Sequence, residues 1–290
     1  MLPWQIPRRP LMVAAATPLR DGGAALDDAA AWPMVRFLAD GGADGVFCCG
    51  TTGEGILLSI EERQRAAVVF RAALTDGLLI VHCGAQTTAD TVTLATHAAE
   101  IGADGVAVIP PPYFPLDADA LLAHFAAAAR ACAPLPFFVY AFASRSGYPV
   151  PPDVVRRLRE SASNLAGLKV SESPFARVEP YLDLDLPVLV GSEPLIPAAV
   201  ARGAAGAVSG LAAAFPHVVR RALDQPDADA ERELATLRTA MEAQPFIASV
   251  KHVLARRGVP VRLDMRAPLR PLMTAEARVL DAAVEPFLAG

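Results

Sequence analysis

Gly42-Ala43-Asp44-Gly45-Val46-Phe47-Cys48-Cys49 is the stretch that decides the fold. A helical pattern, Ala25–Leu38, runs into it, with Asp27 and Asp28 in the first turn, where carboxylates suit the helix dipole. The glycines then make a turn. A short apolar run without alternation follows, the mark of a strand buried on both faces. The same punctuation returns as Gly102-Ala103-Asp104-Gly105 before Val106-Ala107-Val108-Ile109. It returns again, weaker, as Gly203-Ala204-Ala205-Gly206 before Ala207-Val208-Ser209.

Outward from these three points, Leu11–Ala16, Leu78–His82, Phe137–Tyr140, Leu165–Val170 and Pro187–Val190 are further apolar runs. Helical stretches separate them: Glu61–Leu74, Ala89–Ile101, Ala118–Ala131, Pro152–Glu160, Pro174–Leu182, Pro194–Arg202 and Pro216–Leu223. Doubly buried strands alternating with helices predict a parallel sheet. Eight such units in about 225 residues fit a (β/α)₈ TIM barrel over residues 1–225. A doubly wound open sheet is the alternative, weakened because no G-x-G-x-x-G follows the first strand. Residues 226–290 carry helical patterns at Ala228–Ala243, Phe246–Arg257 and Thr274–Phe287, read as a C-terminal helical subdomain packed on the barrel without a linker.

Composition bounds the function. The chain has 290 residues, 53% of them hydrophobic, enough for a sizeable core. A net charge of −5 with scattered arginines argues against a nucleic-acid surface. No uncharged apolar run approaches the ~20 residues of a membrane span. Cys48, Cys49, Cys83 and Cys132 show no C-x-x-C spacing and read as free thiols in a reducing cytoplasm rather than a disulfide framework or zinc site. Arg8-Arg9 before Pro10–Pro18 resembles a weak export signal, but its apolar part is short and contains prolines. It runs straight into the first regular element and reads as a first strand, not a signal peptide.

In a barrel of this kind the active site lies at the C-terminal ends of the strands. Strand six, Leu165–Val170, carries Lys169 near its end. Of 26 basic residues only Lys169 and Lys251 are lysines, so a lysine inside an apolar run needs its own reason. Its amine can lose a proton and attack a carbonyl, which a guanidinium cannot. The alternative is a strand-end lysine with its head in solvent. The other strand ends offer Gly50-Thr51-Thr52-Gly53-Glu54-Gly55, Pro110–Pro115 with Tyr113, Tyr140 followed by Ser144-Arg145-Ser146-Gly147, Gly191-Ser192-Glu193 and Ser209-Gly210. Glycine-exposed amides and two hydroxyls can hold a carboxylate, although Thr51 to Glu54 also fits a helix cap of the S/T-x-x-E kind. Together these groups suit a 2-oxo acid bound as an imine. The histidines stay outside the set. His97, His124, His217 and His252 fall in helical stretches and His82 lies within strand three, with no metal-ligand spacing.

Gly50-Thr51-Thr52-Gly53-Glu54, Tyr140 with Arg145-Ser146-Gly147, and Gly167-Leu168-Lys169 resemble the dihydrodipicolinate synthase / N-acetylneuraminate lyase family over nearly the whole chain. The resemblance implies a (β/α)₈ barrel with a C-terminal helical extension, usually a homotetramer, and a class I mechanism with no metal or organic cofactor. It implies that Lys169 forms a Schiff base with pyruvate and Tyr140 shuttles protons. Thr51 and Thr52, with Gly50, would serve the tyrosine relay and the pyruvate carboxylate. Val208 and Gly191 would line the pyruvate pocket. Arg145 would face the carboxylate of a second substrate. Tyr113 best matches a tyrosine that reaches into a neighbouring subunit's site. One departure stands out: synthases of the family typically read Asn-Val-Pro where this chain has Ala141-Phe142-Ala143.

The expected activity is a lyase or synthase that joins pyruvate to an aldehyde, or cleaves a 2-oxo acid to both, most like 4-hydroxy-tetrahydrodipicolinate synthase. A catabolic 2-oxo sugar-acid or aromatic-substrate aldolase is the nearest alternative. A catalytically silent 2-oxo-acid sensor on the same barrel and a metal-dependent aldolase are the others. The retained Lys169 and Tyr140 argue against the sensor, and the missing ligand cluster argues against the metal enzyme. The expected partners are small molecules, with no nucleic acid and no membrane.

Overall fold

A computed structural model describes residues 9–288. Arg8 of the Arg8-Arg9 pair lies outside the described residues. Eight parallel strands close into one barrel: β1 (Leu11–Ala14), β2 (Gly45–Cys48), β3 (Leu78–His82), β4 (Gly105–Val108), β5 (Phe137–Ala141), β6 (Leu165–Val170), β7 (Val188–Val190) and β8 (Gly206–Ser209). Each strand pairs with its sequence neighbour, and β1 closes the ring against β8. The (β/α)₈ TIM barrel is therefore the fold, and the open-sheet alternative falls.

The repeated punctuation has a physical basis in the structure. Gly42, Gly102 and Gly203 have φ of 89°, 69° and 97°, the left-handed region that lets a helix stop and reverse into a strand. The aspartate that follows in the first two repeats ties down the strand before it. Asp44 Oδ2 accepts from Leu11 N at 2.7 Å, and Asp104 Oδ2 accepts from Leu79 N at 2.8 Å. The third repeat has Ala205 there, and only a backbone bond, Ala205 N to Val188 O at 2.9 Å, makes the tie.

Inside the barrel Met12, Phe47, Ile80, Phe138, Tyr140, Leu189 and Val208 interdigitate with the small Ala14, Ala107 and Ala166. Each large apolar side chain taken from water contributes about 1.5–3 kcal/mol. The helices start where side chains satisfy their free amides. Ser59 and Glu62 form a capping box for α2 (Ile60–Ala73), Thr87 caps α3 (Thr88–Glu100), and Asp117 caps α4 (Ala118–Cys132).

Three predicted elements differ in extent. The first helix, α1, runs Asp28–Asp40 and not from Ala25, because Ala25–Leu26 pairs antiparallel with Leu19–Arg20. The stretches beginning at Pro174 and Pro194 each break into a 3-10 turn and a short helix. Pro174, Pro180, Pro194 and Pro197 all lie in these stretches, and each lacks the N–H that a continuous helix would use. After β8 come α5 (Pro216–Asp224) and then the C-terminal helices α6 (Ala228–Glu242), α7 (Phe246–Arg256) and α8 (Thr274–Val284). All four cysteines are buried and free. Among the described residues no helix is long and apolar enough to cross a membrane.

Candidate active site

Lys169 and Tyr140 are direct partners in the β5–β6 ladder. A register shift between Phe137 and Phe138 makes this so: Phe137 pairs with Leu165, and Phe138 with Gly167. The extra residue restores phase, so Tyr140 and Lys169 share the inner face. A slip of one residue would turn the lysine into the helix layer.

The amine sits between two aromatic faces. Lys169 Nζ lies 3.9 Å from the centroid of Phe47 and 4.0 Å from that of Tyr140, with only 4% of the residue exposed. Burial lowers its pKa to about 7, with the nearby Glu193 carboxylate pulling the other way. The two ring faces also favour an ammonium, by up to about 2 kcal/mol each. Burial pushes the Tyr140 phenol up, while the hydroxyls of Thr51 and Ser171 bonded to it and the Arg145 cation pull it down.

The sequence reading placed nine residues at the site, and the structure gathers most of them. Thr51 bonds the phenol. Thr52 is buried, and a methyl group built on Gly210 would stand 2.9 Å from its Oγ1, so the β2 and β8 loops meet there. Gly50 packs on Phe47. Val208 lines the interior. Gly191 lies so close to Ser171 that a Cβ would stand 2.0 Å from its hydroxyl oxygen, so a side chain there would displace that hydroxyl. Arg145 is exposed in the short turn Ala143–Ser146, its guanidinium 5.7 Å from the Phe142 centroid. Tyr113 is not brought to Lys169 within the chain. It is 81% exposed at φ 85°, and its ring packs edge-on against Phe114, itself 71% exposed.

Two sequence readings need correction. Glu54 does not cap a helix. It sits at φ 56°, is fully buried, and accepts from Lys251 Nζ at 2.6 Å and Arg266 N at 2.7 Å. The cap belongs to Ser59 and Glu62, one turn later. His82, left outside the site, joins it. Its ring stands 5.8 Å from that of Tyr140 and 6.0 Å from that of Phe47, and its Nδ1 bonds the Cys49 carbonyl oxygen at 3.0 Å. Burial first, then the Arg63 and Lys169 cations, hold its pKa well below the ordinary value. His82 shares its inward phase with Ile80, which shows only once the strand's register is known.

Buried carboxylates also went unread. Glu172 Oε1 accepts from Ala143 N at 2.7 Å and so anchors the turn that carries Arg145. Glu193, 1% exposed, accepts from Ser209 Oγ at 2.8 Å, Leu211 N at 2.9 Å and Arg238 Nη1 at 2.8 Å. Among the described residues no group of three or more His, Cys, Asp or Glu side chains is arranged to hold a metal ion. A desolvated amine beside a phenol with a hydroxyl relay can add to a ketone and move protons to and from the adduct.

Comparison with known proteins agrees with the barrel fold. A sequence model of the dihydrodipicolinate synthetase family matches residues 8–286. An uncharacterized DapA-like lyase of Chloroflexus aurantiacus is 32% identical over 269 residues, 88% of this chain and 89% of that protein. A 4-hydroxy-tetrahydrodipicolinate synthase of Prochlorococcus marinus is 35% identical over 204 residues, 69% of this chain and 67% of that one. The solved N-acetylneuraminate lyase of Proteus mirabilis superposes with a TM-score of 0.87 at 25% identity, covering 96% of this chain and 98% of that one.

Proposed function

The chain belongs to the dihydrodipicolinate synthetase family, and on that premise we propose that it is a lyase working through an imine between Lys169 and pyruvate. The observation that carries the reading is the Lys169 amine held dry between Phe47 and Tyr140 with its pKa lowered to about 7. At neutral pH a large fraction of it is free to add to a ketone.

In the proposed cycle the Lys169 nitrogen adds to the pyruvate carbonyl carbon, and water leaves to give a protonated imine. The imine draws electrons from the methyl group, which gives up a proton and becomes an enamine carbon. That carbon adds to an aldehyde, and hydrolysis releases the product and the amine. Cleavage of a 2-oxo acid is the same path reversed. Tyr140 moves the protons, with Thr51 as relay. Thr52 and the Gly50 amide region hold the pyruvate carboxylate, and Val208 and Gly191 shape its pocket. The chemistry requires no metal or organic cofactor. In a cytoplasmic homotetramer the exposed Tyr113 would complete a neighbouring copy's site.

The leading reaction is one like that of 4-hydroxy-tetrahydrodipicolinate synthase, with Arg145 reading a carboxylated aldehyde. Phe142 favours a second reading, a catabolic aldolase for a sugar-acid or aromatic substrate. It is half-buried, its ring 6.0 Å from Tyr140 and under the Arg145 guanidinium, and it gives the outer pocket an aromatic wall. A steady-state screen of pyruvate with aspartate semialdehyde, sugar aldehydes and aromatic aldehydes decides between them. Turnover of none, alongside an unreactive Lys169, would leave only a binding protein.

A further inference from the structure

Arg238 lies in the first C-terminal helix, α6, outside the barrel, yet it reaches the rim. Its Nη1 donates to Glu193 Oε2 at 2.8 Å, its Nη2 is paired with Glu242, and its guanidinium lies 4.2 Å from the Phe246 centroid. Glu193 is held from its other oxygen by Ser209 Oγ and Leu211 N, and Ser209 Oγ in turn accepts from Ala212 N at 2.9 Å. The carboxylate is thus fixed in place and fully desolvated, and its charge acts on both Lys169 and Tyr140.

We propose that Arg238 is a positioning residue for the reaction: it clamps the Glu193 carboxylate in a buried ion pair on the nucleophile's side of the rim and offsets part of its charge. This rests on the reading of Lys169 as that nucleophile. Among the described residues, the charged and titratable groups around Lys169 are Tyr140, its ladder partner on β5; His82 of β3, whose ring lies 5.8 Å from that of Tyr140; and Glu193, in the turn after β7, the strand whose Leu189 pairs with Lys169. His82 is held neutral by burial, and the Tyr140 phenol is pushed up, away from neutral pH. Among the described residues, Glu193 is the carboxylate whose charge acts on the amine, and Arg238 is its buried counter-charge. Without the guanidinium, a bare buried carboxylate would hold the ammonium form of Lys169 and delay its conversion to the amine as pH rises. With the carboxylate removed and the guanidinium kept, the amine would form earlier. Charges several ångströms apart in a protein interior interact by a few kcal/mol or less, and 1.36 kcal/mol moves a pKa by one unit.

The test is the pH dependence of pyruvate imine formation, read as the rate of cyanoborohydride trapping on Lys169. Arg238→Met should move the acid limb up by about one pH unit. Glu193→Gln should move it down, the neutral double variant should bring it back near wild type, and Arg238→Lys should restore most of the wild-type profile. A purely structural role would lower the amplitude without moving the limb. Should Arg238→Met fail to fold, Glu193→Gln, whose amide can keep the bonds to Leu211 N and Ser209, carries the test alone. An unmoved limb in Glu193→Gln and in every folded Arg238 variant overturns the inference and leaves the nucleophile intact. Absence of any adduct on wild-type Lys169 overturns the nucleophile itself, and this inference with it.

Discussion

At Lys169 two opposing effects meet. Burial strips water from the amine and favours its neutral form, while Glu193 favours the cation, and burial wins, with a pKa of about 7. A lysine of ordinary pKa, about 10.4, would be almost wholly protonated at neutral pH. The sign follows: the neutral amine is the reactive species, so kcat/KM for pyruvate should rise as pH rises through about 7 and fall toward tenfold per unit below it. A profile rising only near pH 10 would mean the amine is solvated. Tyr140→Phe removes the proposed proton carrier but keeps the ring face on the amine. It should lower kcat by about two to four orders of magnitude, with pyruvate binding retained. Activity within a few-fold of wild type would reduce Tyr140 to packing. Lys169 was legible in the sequence because it is one of two lysines among many arginines. His82 was not, because inward phase at the end of a short apolar strand is visible only once the strand's register is known.

Among the elements, strand ends were easier to read than loop contents. The glycine turns at Gly42, Gly102 and Gly203 obey local backbone sterics, so sequence alone marks them. The register shift between β5 and β6, which turns Lys169 inward, depends on how the two strands pair in the folded barrel and leaves no local mark. Thr51 to Glu54 has the spacing of a cap, but its carboxylate finds Lys251 almost two hundred residues away, an outcome that tertiary pairing alone decides. The turn Ala143–Ser146 carries its own prediction. Glu172 anchors it at Ala143 N, which leaves Arg145 exposed with its guanidinium over Phe142. Arg145→Ala should weaken binding of a carboxylated aldehyde by roughly 1.5–3 kcal/mol, the range for a hydrogen bond to a charged group. The KM of pyruvate should stay near normal. Equal losses for both substrates would place the pyruvate carboxylate on Arg145. An uncharged preferred aldehyde, indifferent to the change, would favour the catabolic aldolase.

Across the whole molecule, the barrel and the C-terminal helices meet at two buried carboxylates of the rim. Lys251 on α7 and the Arg266 amide hold Glu54, and Arg238 on α6 holds Glu193. The second lysine of the chain is thus structural. Lys251 is buried, and its Nζ also donates to the Asp264 carbonyl oxygen at 2.7 Å. Breaking such a pair from one side costs about 3–5 kcal/mol, because the other charge is left buried and unpaired. Lys251→Met should therefore lower the unfolding midpoint by several degrees or more, and the double variant Glu54→Gln/Lys251→Met should recover part of the loss. A melting curve for Lys251→Met that superimposes on wild type would show the pair contributes nothing.

The two lysines also allow a direct test of the central claim, since one is held between aromatic rings and the other is locked to a carboxylate. Borohydride reduction in the presence of pyruvate, followed by intact-mass measurement and peptide mapping, reads which amine forms the imine. The account predicts a single pyruvate adduct, carried on the peptide containing Lys169 and lost in Lys169→Arg, whose guanidinium stays protonated and cannot add to a ketone. An adduct mapped to Lys251, or none at all in the wild-type protein, would contradict it.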